Sequence, residues 1–177
     1  MRKMTVVIGQ SASGKTTFIT ETFLADEVLA LKTKPFKHTE IVRNNVCLLG
    51  DYTTGVRCLG TDTLSMSVLP QLIEFLQENH SRYRHVIADG DRITNARFFN
   101  FIASLKIPVD LYVFSCSLAE SVRRREATGS AGSEQFVKTT QTKAVNMRAL
   151  GKRLGFNVID KYTGKHDGVR KGIQAFI

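Results

Sequence analysis

Residues 4–17 read Met-Thr-Val-Val-Ile-Gly-Gln-Ser-Ala-Ser-Gly-Lys-Thr-Thr. A β-rich run at 5–8 stops at Gly9, and after four more residues comes Gly14-Lys15-Thr16. The pattern is G-x-x-x-x-G-K-[ST], placed between a strand signal and a helix signal. Glycines let the backbone wrap an anion with successive N–H groups turned inward. A helix opening near Lys15 adds its positive end to the same point. Lys15 supplies a mobile charge for β and γ phosphates, and the Thr16 hydroxyl suits Mg²⁺. Gly9, Gln10, Ser11, Ala12, Ser13, Gly14, Lys15, Thr16 and Thr17 therefore form a candidate nucleoside triphosphate site. Such a loop must be held by a buried strand and a helix packed beside it, which points to an α/β chain.

The rest of the sequence agrees with that class. Further short apolar runs fall at 46–50, 83–89, 109–114 and 156–159. Between them lie helical patterns. Leu69, Leu72, Ile73 and Leu76 share one face, with Pro70 tolerated only in the first turn. Phe98, Ile102 and Leu105 share another. Helices are also expected at 15–24, 118–128 and 134–154, and a last one would place Val169, Ile173 and Phe176 on one side. Residues 31–43 are basic, and Pro35 excludes a long helix there. The expectation is a doubly wound, five-stranded parallel sheet with helices on both faces, all in one domain over 1–177. Ligands of such sheets gather at the carboxyl ends of the strands, which here selects Gly9–Lys15, Asp51, Asp89 and the residues after Phe114.

At 177 residues and 42% hydrophobic content the chain can bury a real core and is not disordered. No run reaches the roughly 18 apolar residues of a membrane span. The basic N-terminus feeds the phosphate loop rather than a signal peptide. Cys47, Cys58 and Cys116 are odd in number and scattered, as are the four histidines. That favours reduced thiols in a cytoplasm and no metal centre built of protein ligands alone. The net charge of +9 is uneven: residues 118–177 balance at +7, and residues 1–117 at +2. This bias suits a polyanionic partner or a solvated surface with phosphate-handling arginines.

Two further constellations carry chemistry. The apolar strand at 83–89 ends in Asp89-Gly90-Asp91-Arg92. A strand-end carboxylate opposite a phosphate loop is placed to hold magnesium, directly or through water, so Asp89 joins Thr16 as a metal candidate. Asp91 is either part of the site or a helix N-cap. Arg123-Arg124-Arg125 lies on a helix before Gly129-Ser130-Ala131-Gly132. Adjacent helical positions diverge, so one or two of these arginines can face a γ-phosphate; Arg124 and Arg125 are the candidates. The break suits a mobile lid over about 118–148, and Lys138, Lys143 and Arg148 line a polyanion groove or a soluble surface. No Asn-Lys-x-Asp element for reading guanine is present.

The loop at Gly9–Thr17, Asp89-Gly90 and the arginine segment together resemble small phosphate-loop kinases, the nucleoside monophosphate kinase and phage polynucleotide kinase group. The adenylate kinase signature Asp-Gly-Phe-Pro-Arg is only partly echoed by Asp89-Gly90-Asp91-Arg92, which argues against an ordinary mononucleotide substrate. Gly60-Thr61-Asp62-Thr63-Leu64-Ser65-Met66, after Leu49-Gly50-Asp51-Tyr52, is similar to the 5-hydroxymethyluracil DNA kinases of phages with hypermodified thymidine. That resemblance implies ATP and Mg²⁺ as cofactors and phosphorylation of a hydroxymethyl group on a base within DNA.

A primary hydroxyl attacking a γ-phosphate needs a carboxylate to receive its proton. Asp62 is the first candidate and Asp51 the second, both lying in the segment after the strand at 46–50; the competing role for Asp62 is a helix cap. Tyr52 and Arg57 are candidates to meet a base or phosphate. A target base inside a duplex would have to be flipped out, with the basic C-terminal third on the DNA backbone. Two other readings stand beside this one: a kinase for free nucleotides or other small molecules, and a non-catalytic, ATP-dependent nucleic-acid binding module.

Overall fold

The computed structural model describes residues 3–25, 27–53, 60–79, 81–129 and 133–164. Arg57, Cys58 and the expected helix bearing Val169, Ile173 and Phe176 lie outside them.

The phosphate-loop strand β1 (Lys3–Gly9) occupies an inner position of the sheet. It alternates its side chains between two cores. Met4, Val6 and Ile8 point into one, Val7 into the other, all at 1% exposure or less. Parallel to β1 on one side runs β5 (His85–Asp89), and beyond it β4 (Val46–Leu49). On the other side run β6 (Val109–Ser115) and then β7 (Asn157–Tyr162), also parallel. These five strands are the ones the apolar runs mark.

Among the described residues the sheet is nevertheless seven-stranded and mixed, in the order β2-β3-β4-β5-β1-β6-β7. An antiparallel pair, β2 (Leu29–Lys32) and β3 (His38–Ile41), extends the edge beyond β4. This corrects the five-stranded expectation. Both added strands are four residues long, and Pro35 sits in their turn, where it breaks no ladder. The Lys34–Pro35 peptide bond is cis.

Helix α1 (Lys15–Phe23) covers one face, burying Phe18 and Ile19 against Val7, Ile87 and Tyr112. On the opposite face α2 (Leu69–Asn79) and α3 (Ala96–Ser104) bury Leu72, Phe75, Leu76, Phe98, Phe99 and Ile102. Asn95 caps α3 by accepting from the Phe98 N–H. Next come α4 (Leu118–Ala127) and α5 (Glu134–Arg153), capped by Ser117 and Ser133.

The expected helical lid needs correcting. Helix α5 packs along the sheet through Val137, Ala144 and Gly151, spaced seven apart on one face. A Cβ at Gly151 would lie 2.5 Å from Leu111, so the helix lies close on β6. It is a core element and not a free flap. Among the described residues no helix is long and apolar enough to cross a membrane.

Candidate active site

The carboxyl ends of β4, β5, β1 and β6 meet at one edge, where β1 separates β5 from β6 and the chain order reverses. Gly9 ends β1 and turns sharply (φ 153°), passing so close to Phe114 that a side chain has no room. Gly14 precedes α1 in the left-handed region, as a loop wrapping an anion requires. Between them Gln10 and Ser13 are buried, and Gln10 Oε1 and Ser13 Oγ have no hydrogen-bond partner among the described residues. Gln10 Nε2 donates to the Cys116 carbonyl at 2.9 Å. The Lys15 ammonium donates to the carbonyls of Gly9 (3.2 Å) and Gln10 (2.9 Å), bending back over its own loop. Burial lowers its pKa; Asp89, Asp62 and Asp91 oppose that, in descending order.

Asp89 ends β5 fully enclosed, at 2% exposure. Burial pushes its carboxyl up to about 7, although the Tyr52 hydrogen bond and the Lys15 charge pull the other way. The Tyr52 hydroxyl donates to Asp89 Oδ1, and the Thr61 hydroxyl donates to the Asp89 carbonyl. Tyr52 is 4% exposed, so it supports Asp89 and does not present an open face to a base, contrary to the sequence reading.

The candidate bases separate clearly. Asp62 sits in a short 3₁₀ turn, Thr61–Thr63, with its side chain 45% exposed. Its Oδ1 accepts the Asp91 N–H at 2.9 Å, and Arg92 Nη1 lies 4.0 Å away. It caps no helix, since α2 begins only at Leu69. Asp51 is 2% exposed, and Oδ1 accepts from both the N–H and hydroxyl of Thr53. Its Oδ2 lies 3.8 Å from Lys37. Asp91 is not the cap of α3; its carboxylate meets Lys143 Nζ at 2.7 Å.

Helices α4 and α5 reach the loop from the far side. Arg124 Nη1 donates to the Ala12 carbonyl (3.2 Å) and Thr163 Oγ1 (3.1 Å). Arg125 Nη1 donates to Ser11 Oγ, and the guanidinium carbon of Arg125 lies 5.0 Å from the centroid of the Phe136 ring. Arg123 turns outward, 61% exposed and paired with Glu120. Ser121 Oγ donates to the Ser11 carbonyl (2.6 Å), while the Ser11 N–H donates to Thr140 Oγ1 (3.1 Å). Sequence reasoning missed Glu120, whose carboxylate is held at about 2 by hydrogen bonds from Arg123 and Arg124. The signal was available, because an acid three and four residues before two arginines shares their helix face. Ser121, Thr140 and Thr163 gave no such signal, being brought to the loop by tertiary packing alone.

Three of the five basic side chains of α5 are paired: Lys138 with Glu134 (2.6 Å), Lys143 with Asp91, and Arg148 Nε with Asp160 (2.7 Å).

A phosphate-loop motif, a strand-end aspartate at the same sheet edge and two inward arginines are the parts a phosphoryl-handling site needs. The family model described as P-loop Nucleotide Kinase3 matches residues 1–176. The chain belongs to that family. No curated protein matches this P-loop nucleotide kinase family member. Among solved structures it is similar to deoxyadenosine kinase from M. mycoides with bound dCTP, with 11% identity and a TM-score of 0.46. That match covers 97% of this chain and 95% of the other.

Magnesium and a triphosphate fit the residues present. Thr16 and Asp89 offer hard oxygen donors, and two buried polar atoms in the loop await a partner. Among the described residues no group of three or more His, Cys, Asp or Glu is assembled for an ion.

Proposed function

We propose that this P-loop nucleotide kinase transfers the γ-phosphoryl group of ATP to an alcohol, and that the acceptor is the hydroxymethyl group of 5-hydroxymethyluracil in DNA. The observation that carries the alcohol-acceptor reading is Asp62. It is a solvent-facing carboxylate, fixed by the Asp91 N–H, close enough to Lys15 to act on its charge.

The acceptor oxygen attacks the γ-phosphorus while the bond from that phosphorus to the β,γ-bridging oxygen breaks. ADP leaves, and the hydroxyl proton passes to the Asp62 carboxylate. Lys15 and the loop amides stabilise charge growing on the phosphate oxygens. Thr16 and Asp89 would hold magnesium, which supplies charge neutralisation on the β and γ oxygens when bound. Arg124 ties the loop to the residues after β7, and Arg125 approaches it at Ser11. The DNA acceptor is supported by the Gly60–Met66 resemblance and by the +9 net charge.

Incubation with γ-labelled ATP and hydroxymethyluracil-containing DNA tests this directly. Label should appear on the modified base. Label confined to 5′ termini, or to free mononucleotides supplied in parallel, would replace the DNA acceptor with a smaller one, a reading the family description favours. If Asp62→Asn left ATP and DNA binding intact and no phosphorylated acceptor formed with any protein, the chain would be a binding module.

A further inference from the structure

The antiparallel hairpin changes where the chain keeps its positive charge. β3 runs against β4 with His38 opposite Leu49, at the carboxyl end of β4. The β2–β3 turn, residues 33–37, therefore projects from the same edge of the sheet as the phosphate loop, on the side of Asp51 and Asp62. The Lys37 carbonyl accepts the Gly50 N–H at 3.1 Å, and Thr39 Oγ1 joins the Gly50 carbonyl to the Tyr52 N–H at 3.0 Å each. The turn is thus built onto the segment that carries the candidate bases. Phe36 anchors it: the ring is 6% exposed and packs 5.1 Å from Phe75 and 5.5 Å from His38.

The stretch that carries this anchor has only basic charges of its own, with Glu40 and Asp51 as the nearest acids. Residues 28–39 contain Lys32, Lys34, Lys37 and His38, and no acid. All three lysines are exposed. Lys32 and Lys37 form loose ion pairs with Glu40 (3.7 Å) and Asp51 (3.8 Å), beyond hydrogen-bond distance, and Lys34 makes no ion pair among the described residues. Along α5, by contrast, Lys138 and Lys143 meet their acids at 2.6–2.7 Å. The groove there, lined by Gln135, Lys138, Thr139, Thr142, Lys143 and Asn146, has its charge already matched.

We propose that the β2–β3 turn is a phosphate-backbone contact: Lys32 and Lys34 grip the phosphodiesters of the DNA strand whose base enters the site at Asp62. The inference rests on the DNA-acceptor reading above and deepens it. A lysine-bearing turn with no acid of its own, anchored beside the acceptor segment, has little to bind on a mononucleotide. It complements a chain of phosphates leading away from the target base.

Binding of a fluorescein-labelled hydroxymethyluracil 20-mer, single- and double-stranded, is measured by anisotropy over a range of salt concentrations. The Lys32→Ala/Lys34→Ala protein should lose slope in log K against log salt, by about 0.7 to 0.9 per lysine, and bind roughly tenfold or more weakly near 0.1 M salt. Arg84→Ala/Lys106→Ala removes equal charge from residues preceding β5 and β6, at the opposite edge, and should leave the slope unchanged. Equal loss in both proteins, no loss in the hairpin protein, or no binding by the unaltered chain would each overturn the proposal. Label transfer from ATP, run alongside, separates the two readings. Hairpin-dependent binding without label keeps the contact and removes the kinase acceptor; label with a hairpin-independent slope does the reverse.

Discussion

At the edge where β1 and β5 begin, buried polar groups are completed by the protein itself. Thr5 Oγ1 and His85 Nε2 lie 2.8 Å apart, the imidazole meets Phe23 edge-on at 5.7 Å, and Lys3 pairs with Asp110. At the edge where the same strands end, the protein leaves the work unfinished. Gln10 Oε1 and Ser13 Oγ are buried without partners among the described residues, Lys15 folds onto its own loop's carbonyls, and Asp89 is pushed up to about 7. Polar groups do not stay unpaired in a packed interior at no cost, so their concentration at one edge marks where a ligand completes them. Burial of an ionisable group is common to both edges. What distinguishes the candidate site is that two buried loop atoms beside those groups, Gln10 Oε1 and Ser13 Oγ, have no partner among the described residues.

The strongest way to break this contrast is at Lys15. Lys15→Ala removes the charge that the loop carbonyls now borrow and the phosphates would claim, so phosphoryl transfer should fall on the order of a thousandfold. A mutant retaining near-normal turnover in the label-transfer assay would mean the exit edge is not the phosphate site. Asp62→Asn keeps the shape and the hydrogen bond from Asp91 but cannot take a proton. Turnover should drop on the order of a hundredfold with ATP affinity unchanged, read as kcat against ATP binding by calorimetry. Wild-type rates in that protein, with loss in Asp51→Asn, would move the base to the second candidate.

Much of this was legible in the sequence, and for identifiable reasons. Strands β1, β4, β5 and β6 are short, apolar and largely buried, β7 is marked by Val158 and Ile159 alone, and α3 and α5 have clear caps and periodic faces. The loop and Asp89 were legible because their chemistry fixes residue types at fixed offsets. Three things were not. The β2–β3 pair lacks a run of strand-forming residues, and one of its strands buries His38 and Thr39, a pattern that reads as a polar loop. Tyr52 reads as a candidate to meet a base or phosphate because nothing local announces that its hydroxyl will meet Asp89, 37 residues on. The packing of α4 and α5 on Ser11 depends on Ser121 and Thr140, residue types that carry no signal on their own.

Gly60 sharpens the comparison at the level of the backbone. It sits at φ 72°, and a Cβ there would collide with Asp89 Oδ1 and lie 2.8 Å from the Tyr52 hydroxyl. The glycine is what lets the acceptor segment close over the carboxylate. Gly60→Ala pays for a left-handed conformation and a displaced side chain together, an expected loss of about 2–4 kcal/mol by denaturant titration. Because the atom displaced is the Asp89 carboxylate, magnesium-dependent stabilisation by ATP should weaken as well. Gly155→Ala, also at positive φ but with nothing within 4 Å of the new methyl, should cost only the backbone part, about 1–2 kcal/mol.

The smallest effect tests the entrance edge. Burial, with Lys3 nearby, lowers the His85 pKa to about 4 from its ordinary 6.5. Between those values the unfolded chain binds a proton that the native imidazole refuses. Stability contributed by His85 is therefore whole above about pH 6.5 and is lost as pH falls toward 4. At full strength the shift corresponds to roughly 3 kcal/mol, and partial exposure of the ring reduces it to about 1–2 kcal/mol. His85→Gln can still bond to Thr5 but does not titrate. Urea midpoints at pH 7 and pH 5 should differ less in that protein than in the wild type, while its phosphoryl transfer at pH 7 stays unchanged. If instead His85→Gln slowed transfer and left the pH dependence of stability intact, the entrance edge would carry function too, and the division between a completed edge and an unfinished one would fail.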